Sequence, residues 1–257
     1  MSFLDPLEKL ISDVEELKIG SGILTSRYFS TLRDGEMSRE AFESSQQQFF
    51  YAVRFFSRAM AALAARVVDS QERSSLIHNL AEEHGLVDDD DIGDAISQGS
   101  VTRIASGFHP RLAHDQTFRV FLNRLNSQET YDQKNSSEKP AVHSFNLALW
   151  AVCAIEPTPV AFACLGAIEF AFADISAIIG QCVVDRNWIS CDALIHYKLH
   201  AEIDKRHAGD FFAVVADAWS EDVAVRRQVE SGVTLGLYLF KRLYDELMVE
   251  AYEHGRE

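Results

Sequence analysis

His196-Tyr-Lys-Leu-His200-Ala-Glu-Ile-Asp204-Lys-Arg-His207-Ala208 is the stretch whose reading decides the fold. Its histidines and aspartate are separated by four, four and three residues. At ~100° per residue they share one helix face, in a stripe roughly 60–80° wide. Imidazole and carboxylate are ligand types that suit iron. A hydrated helix face carries a histidine pair readily enough. Four metal-capable groups on one face, next to a helix made of core residues, read instead as a ligand face.

That neighbouring helix supplies the second signal. Glu169 lies in Ala161-Phe-Ala-Cys-Leu-Gly-Ala-Ile-Glu169-Phe-Ala-Phe-Ala173, which is apolar on all sides. A carboxylate buried there must be protonated or must meet a cation, because desolvating it unpaired is costly. An arginine would serve as the cation; a metal serves at least as well, given the His/Asp stripe one helix later. Asp174 is a weaker version of the same signal. A third signal is Asn79-Leu-Ala-Glu82-Glu83-His84-Gly85, closing an amphipathic helix whose core side carries Leu76, Ile77 and Leu80. Either Glu82 or Glu83 can turn inwards, and Glu82 is preferred. His84 is either a ligand or a residue favoured at a helix C-terminus by the dipole. The Glu-x-x-His repeats of ferritin-type bundles are absent.

The rest of the chain is consistent with helices. Among 257 residues there are 5 prolines and 13 glycines, few for a fold of many tight turns. Helices are expected at about 3–18, 23–33, from an N-cap at Ser38 to about Val68, 71–83, 114–125, 141–155, 158–184, 191–217 and 221–254. No strand alternation stands out. The expectation is one all-α domain over 1–257. It carries an acidic insertion at about 86–111, containing Asp88-Asp-Asp-Asp91 and a short helix near 92–104, and a polar loop at about 126–140.

Composition also excludes partners. The net charge is −15, from 24 Lys and Arg against 39 Asp and Glu. Such a surface repels nucleic acid and anionic lipid. The longest apolar run, about 159–184, is interrupted by Glu169 and Asp174, so a core helix is expected rather than a membrane span. The N-terminus has neither the basic nor the apolar region of a signal peptide. The four cysteines form no Cys-x-x-Cys pair and read as reduced thiols of a cytoplasmic protein.

The sequence resembles the haem-oxygenase-like diiron oxidases, which share their helical fold with haem oxygenase, the thiaminase II family and the quinone-synthase family. The resemblance covers about residues 24–245. It rests on Leu32-Arg-Asp-Gly-Glu-Met-Ser-Arg-Glu-Ala-Phe42 with Gln48-Phe-Phe-Tyr-Ala-Val-Arg-Phe-Phe-Ser-Arg-Ala59, on the Asn79–Gly85 motif, and most specifically on His200-x-x-x-Asp204-x-x-His207. It implies metal ligands at Glu82, Glu169, His200, Asp204 and His207. The sixth ligand should be a histidine shortly after Glu82, where this chain has its acidic run instead. His114 is the expected replacement, with His84, His109 and the aspartates at 88–91 as alternatives.

The resemblance further implies two Fe(II) ions and O2 as co-substrate. The implied activity is oxidation of a small amino-acid- or amine-derived molecule by N-oxygenation, oxidative decarboxylation, C–C cleavage or desaturation, mostly in natural-product biosynthesis. Haem ligation near the N-terminus is excluded, since no histidine precedes His78. The alternatives are a metal-independent thiaminase-like or quinone-synthase-like enzyme and a non-catalytic helical binding protein. Arg54, Arg58 and Arg206 are candidates for a clamp on a substrate carboxylate. A homodimer is compatible with the sequence.

Overall fold

The computed structural model describes residues 5–87, 106–125 and 137–253. The expected helix near 92–104 and most of the polar loop lie outside the described residues. Those that are described form nine α-helices. They are α1 (Pro6–Ser21), α2 (Arg27–Arg33), α3 (Arg39–Ala64), α4 (Ser70–Glu83), α5 (His114–Leu125), α6 (Pro140–Ile155), α7 (Thr158–Asp185), α8 (His196–Glu221) and α9 (Val223–Glu253). The all-α expectation holds, with one small addition. Leu86–Val87 (β1) pairs antiparallel with Gly107–Phe108 (β2), Leu86 opposite Phe108 and Val87 opposite Gly107. Two-residue strands are too short to leave an alternation in the sequence.

Local chemistry explains the boundaries. Ser38 accepts a hydrogen bond from the Ala41 N–H at 3.1 Å and starts α3. Asp69 accepts from the N–H groups of Gln71 and Glu72, at 2.8 and 3.0 Å, and starts α4. α3 stops at Ala64 rather than near Val68. Beyond its end, Arg66 donates to the carbonyls of Cys153 and Glu156, at 2.8 and 2.7 Å, and so caps the C-terminus of α6. α1 runs through Gly20 and closes at Gly22, whose φ is 67°. The helix expected over 23–33 divides into a 3-10 turn, Ile23–Thr25, and α2, with Ser26 between them.

α7 is the centre of the packing. Among the described helices it alone is long and apolar enough to cross a membrane, and it is mostly buried inside the protein. Its destination is protein: α8 covers one flank and α9 another. The α9 contact is close because of two glycines. A Cβ on Gly232 would lie 2.3 Å from the Val160 carbonyl oxygen, and one on Gly236 would lie 2.5 Å from that of Cys164. One apolar core extends from Leu10 in α1 to Ala251 in α9.

The β1–β2 pair decides where the site is completed. Gly85 follows α4 with φ 89°, a conformation that L side chains rarely adopt. Its carbonyl accepts a hydrogen bond from the His109 N–H at 2.7 Å. The chain therefore departs from the end of α4 and returns beside it. A 3-10 turn, Pro110–Leu112, then leads into α5, which begins at His114.

Candidate metal centre

α8 delivers four buried side chains on one face: His196, His200, Asp204 and His207. α7 contributes Glu169, α4 contributes Glu82 and Glu83, and α5 contributes His114, all buried. The rings of His114 and His200 stand 4.3 Å apart, and those of His196 and His200 4.2 Å. Glu83 Oε1 lies 2.8 Å from His114 Nδ1. Ligand atoms of Glu83, Glu169 and His207 all fall within 4.8 Å of one another. Donors bound to one ion at ~2.1 Å and at right angles would be ~3 Å apart, so these separations suit shared metals.

Hydrogen bonds define the free edge of each imidazole. His200 Nδ1 is 2.8 Å from Asp204 Oδ1, which leaves Nε2 for another partner. His207 Nε2 is 2.9 Å from Glu82 Oε2, which leaves Nδ1. Thr117 Oγ1 donates to the His114 carbonyl at 3.0 Å, so its contact with His196 Nδ1 at 2.9 Å makes that nitrogen the donor. The Nε2 of His196 is then a bare acceptor. Four of these edges, His200 Nε2, His207 Nδ1, His196 Nε2 and Asp204 Oδ2, are buried without a hydrogen-bond partner. His114 Nδ1 has only the Glu83 carboxylate beside it. Buried polar atoms are rarely left unsatisfied, and so many in one place are what a site that could hold an ion presents. The donor set of imidazoles and carboxylates fits iron.

The electrostatics agree. Burial and the nearby carboxylates of Asp204 and Glu83 push Glu169 well above the usual carboxylate range. Burial also pushes Asp204 up to about 8, against the opposing pull of His207 and His114. Burial drives His196 and His200 well below the usual imidazole range. His114 is raised: burial opposes its charge, but the Glu83 carboxylate outweighs that. Ionising all these carboxylates together requires positive charge in their midst.

Glu82 stands apart electrostatically. Burial opposes its charge, yet hydrogen bonds from His207 and Arg206 hold it down at about 2. Arg206 reaches its two oxygens at 2.5 and 3.3 Å. The structure thus brings together all six residues expected as ligands, Glu82, His114, Glu169, His200, Asp204 and His207, and with them His196 of the same stripe and Glu83, the alternative to Glu82. A phase signal for Glu83 was present: it is seven residues after Leu76, hence on the same helix face, and both are buried. Ile77, expected on the core side, is 51% exposed.

The other candidates lie elsewhere. His84 is exposed at the end of α4, and His109 is half-buried in the turn before α5. Asp88–Asp91 lie outside the described residues. Asp174 pairs with Lys18 of α1. Arg54 and Arg58 lie over the rings of Phe50 and Phe55.

Comparison with known proteins gives this arrangement a family. No curated protein matches the sequence. Solved structures do resemble the fold. A CADD-like protein of unknown function from Nostoc punctiforme superposes with a TM-score of 0.70 at 14% identity, over 95% of this chain and 98% of its own. A TenA homolog from Pseudomonas syringae gives 0.67 at 15%, over 97% and 99%. A domain of unknown function with a heme oxygenase-like fold from Shewanella denitrificans gives 0.67 at 15%, over 99% and 95%. At these identities the likeness is one of fold. The model of the family described as iron-containing redox enzyme matches residues 45–241, a span that includes every residue of the centre. The chain has a haem-oxygenase-like fold and belongs to the iron-containing redox enzyme family.

Proposed function

We propose that the chain is a non-haem diiron enzyme that uses O2 to oxidise a small organic molecule. The observation carrying this reading is the convergence of buried, unpartnered donor atoms of His200, Asp204 and His207, and of His114 beside Glu83, around the carboxylates of Glu83 and Glu169. These six donors are more than one ion with open positions needs and suit two. Charge also favours two. Three carboxylates against two divalent ions leave roughly one positive charge for a bound anion, whereas one ion would leave a buried negative excess.

In this set Glu83 takes the position that the sequence resemblance gives to Glu82. Glu82 accepts from His207 Nε2–H, which fixes the tautomer and turns Nδ1 to the metal side. Arg206 neutralises Glu82 from outside. Iron held here supplies redox equivalents and open coordination positions for O2 and substrate. The protein's own side chains gather the carboxylates where a cation is needed to ionise them, orient the imidazoles and keep bulk water out. N-oxygenation, oxidative decarboxylation, C–C cleavage and desaturation are all open to such a centre.

A thiaminase-like reaction would need a nucleophilic thiol, and none of the four cysteines lines the cavity beside the centre. Burial pushes the Cys153 thiol up to about 12, far from thiolate reactivity. The test is oxygen uptake by iron-loaded protein against a panel of small amines, acids and amino acids. Substrate-dependent uptake lost in His200→Ala is the expected result. Full turnover by rigorously metal-free protein would refute the proposal.

A further inference from the structure

His196 is the one member of the α8 stripe to which the sequence resemblance gives no part. It stands one turn before His200, is fully buried, and lines a small cavity at the centre together with Glu83, His114, Glu169 and His200. On its other sides are aromatic rings: Phe118 and Tyr197 lie 4.8 and 5.3 Å from it, centre to centre. A phenylalanine would fill such a place at no polar cost. A histidine there has two ring nitrogens to satisfy, and the protein satisfies one.

That one is Nδ1, fixed from α5. Thr117 follows His114 by three residues. Its hydroxyl donates to the His114 carbonyl and accepts from His196 Nδ1–H at 2.9 Å. One hydroxyl thereby ties the backbone of His114 to the ring of His196. His200 is arranged in the same sense, with Nδ1 held 2.8 Å from Asp204 Oδ1. The Nε2 atoms of both rings are buried without a partner. Metal-ligating histidines are typically anchored in this way through the nitrogen that does not bind the ion. A histidine pair four residues apart on a helix can grip one ion, as His-Glu-x-x-His helices do.

Distances extend the argument to a third ring. Two imidazoles bound at ~2.1 Å and at right angles on one ion have ring centres ~4.5 Å apart. His196 and His200 are 4.2 Å apart, and His114 and His200 4.3 Å. His207 stands farther off, 6.4 Å from His114, and groups with Glu83 and Glu169 instead. We propose that His196 is a seventh protein donor of the centre, forming with His114 and His200 a three-imidazole position beside the one made by Glu83, Glu169 and His207. This deepens the proposed function and rests on it for the ions themselves. The two positions are then chemically unequal, one rich in neutral nitrogen and the other in carboxylate. The competing account is a core histidine held by Thr117 for packing alone.

The test is proton NMR in water of protein loaded anaerobically with ferrous iron alone. Each ligating imidazole keeps one N–H, and the unpaired electrons of the iron shift that proton far outside the ordinary amide range. The rings of His114, His196, His200 and His207 are all buried, which slows exchange of these protons with solvent. The wild type should show four such exchangeable signals and His196→Phe three. His196→Phe should also weaken iron at one of the two positions at least about tenfold. Thr117→Val keeps the ring but removes its acceptor. It should move the signal that His196→Phe deletes and weaken iron about 10–100-fold. Three signals in the wild type that persist unchanged in His196→Phe would overturn the inference and leave the diiron reading in place. Should His196→Phe not fold, Thr117→Val decides, and a shifted spectrum identical to the wild type overturns the inference. A wild type that binds no iron would remove the diiron reading and the inference with it.

Discussion

At the residue scale the roles of two adjacent glutamates separate. Glu83 faces His114 and the unpartnered donors, whereas Glu82 is held by Arg206 and His207. Glu83→Gln should therefore lower bound iron to about one per chain or fewer. Glu82→Gln keeps an acceptor for His207 and should retain near-normal stoichiometry with affinity weakened about 10–100-fold. Metal analysis after dialysis distinguishes the two, and equal losses would contradict the assignment. Neighbouring residues at the last turn of a helix differ by ~100°, and the seven-residue phase with Leu76 was the one sequence signal that separated them. The α8 stripe was legible because its members share one helix, and Glu169 because a carboxylate in an apolar run needs a reason.

The protonation states give a pH dependence with a definite sign. In the metal-free protein Asp204 titrates at about 8, Glu169 is raised by burial and His114 by Glu83, so each carries a proton more readily than usual. Ligation requires those protons to leave. Iron binding should release protons and tighten as pH rises towards 8, by up to tenfold per unit for each proton displaced. Titration in buffers of different ionisation enthalpy measures the release. Affinity that falls or stays flat between pH 6 and 8 would oppose this picture. The same group bears on metal-free stability. The folded state holds the Asp204 proton above the unfolded value, so its contribution is present below about pH 4 and lost as pH rises through about 8.

At the scale of elements, the link from α4 to α5 positions the candidate ligand the sequence left least certain. His114 follows the acidic run, and nothing in a linear reading returns it to Glu83. The β1–β2 pair and Gly85 do so. Gly85→Ala would place a Cβ 2.4 Å from the His109 carbonyl oxygen at a φ of 89°. A loss of about 1–3 kcal/mol is expected, together with a fall in bound iron that a purely peripheral change would not cause. Thermal unfolding and metal analysis check the two parts. By comparison, Asp69→Ala removes a cap with two hydrogen bonds and should cost about 1 kcal/mol with iron content unchanged. The cap at Ser38 and the apolar run of α7 were readable in advance. The early stop of α3 was not, because it coincides with a long-range contact, Arg66 with the end of α6.

At the scale of the molecule, α7 organises a helical scaffold in which three other helices, α4, α5 and α8, converge on Glu169. The fold was legible from helical periodicity and the His/Asp face, since both are local signals. The closing of the site across residues 88–105 was not, because pairing between distant segments has no local signature. Replacing 88–105 with a short Gly-containing turn should preserve iron binding, as β1 and β2 already stand side by side. Loss of iron in a variant that still folds would assign the replaced segment a direct part in the centre. The most direct measurement of the central claim is iron per chain after anaerobic ferrous loading and dialysis. About two irons are expected in the wild type, falling to one or fewer in both His200→Ala and Asp204→Ala with the helical content retained. A wild type that holds no iron, or variants that hold as much as the wild type, would contradict it.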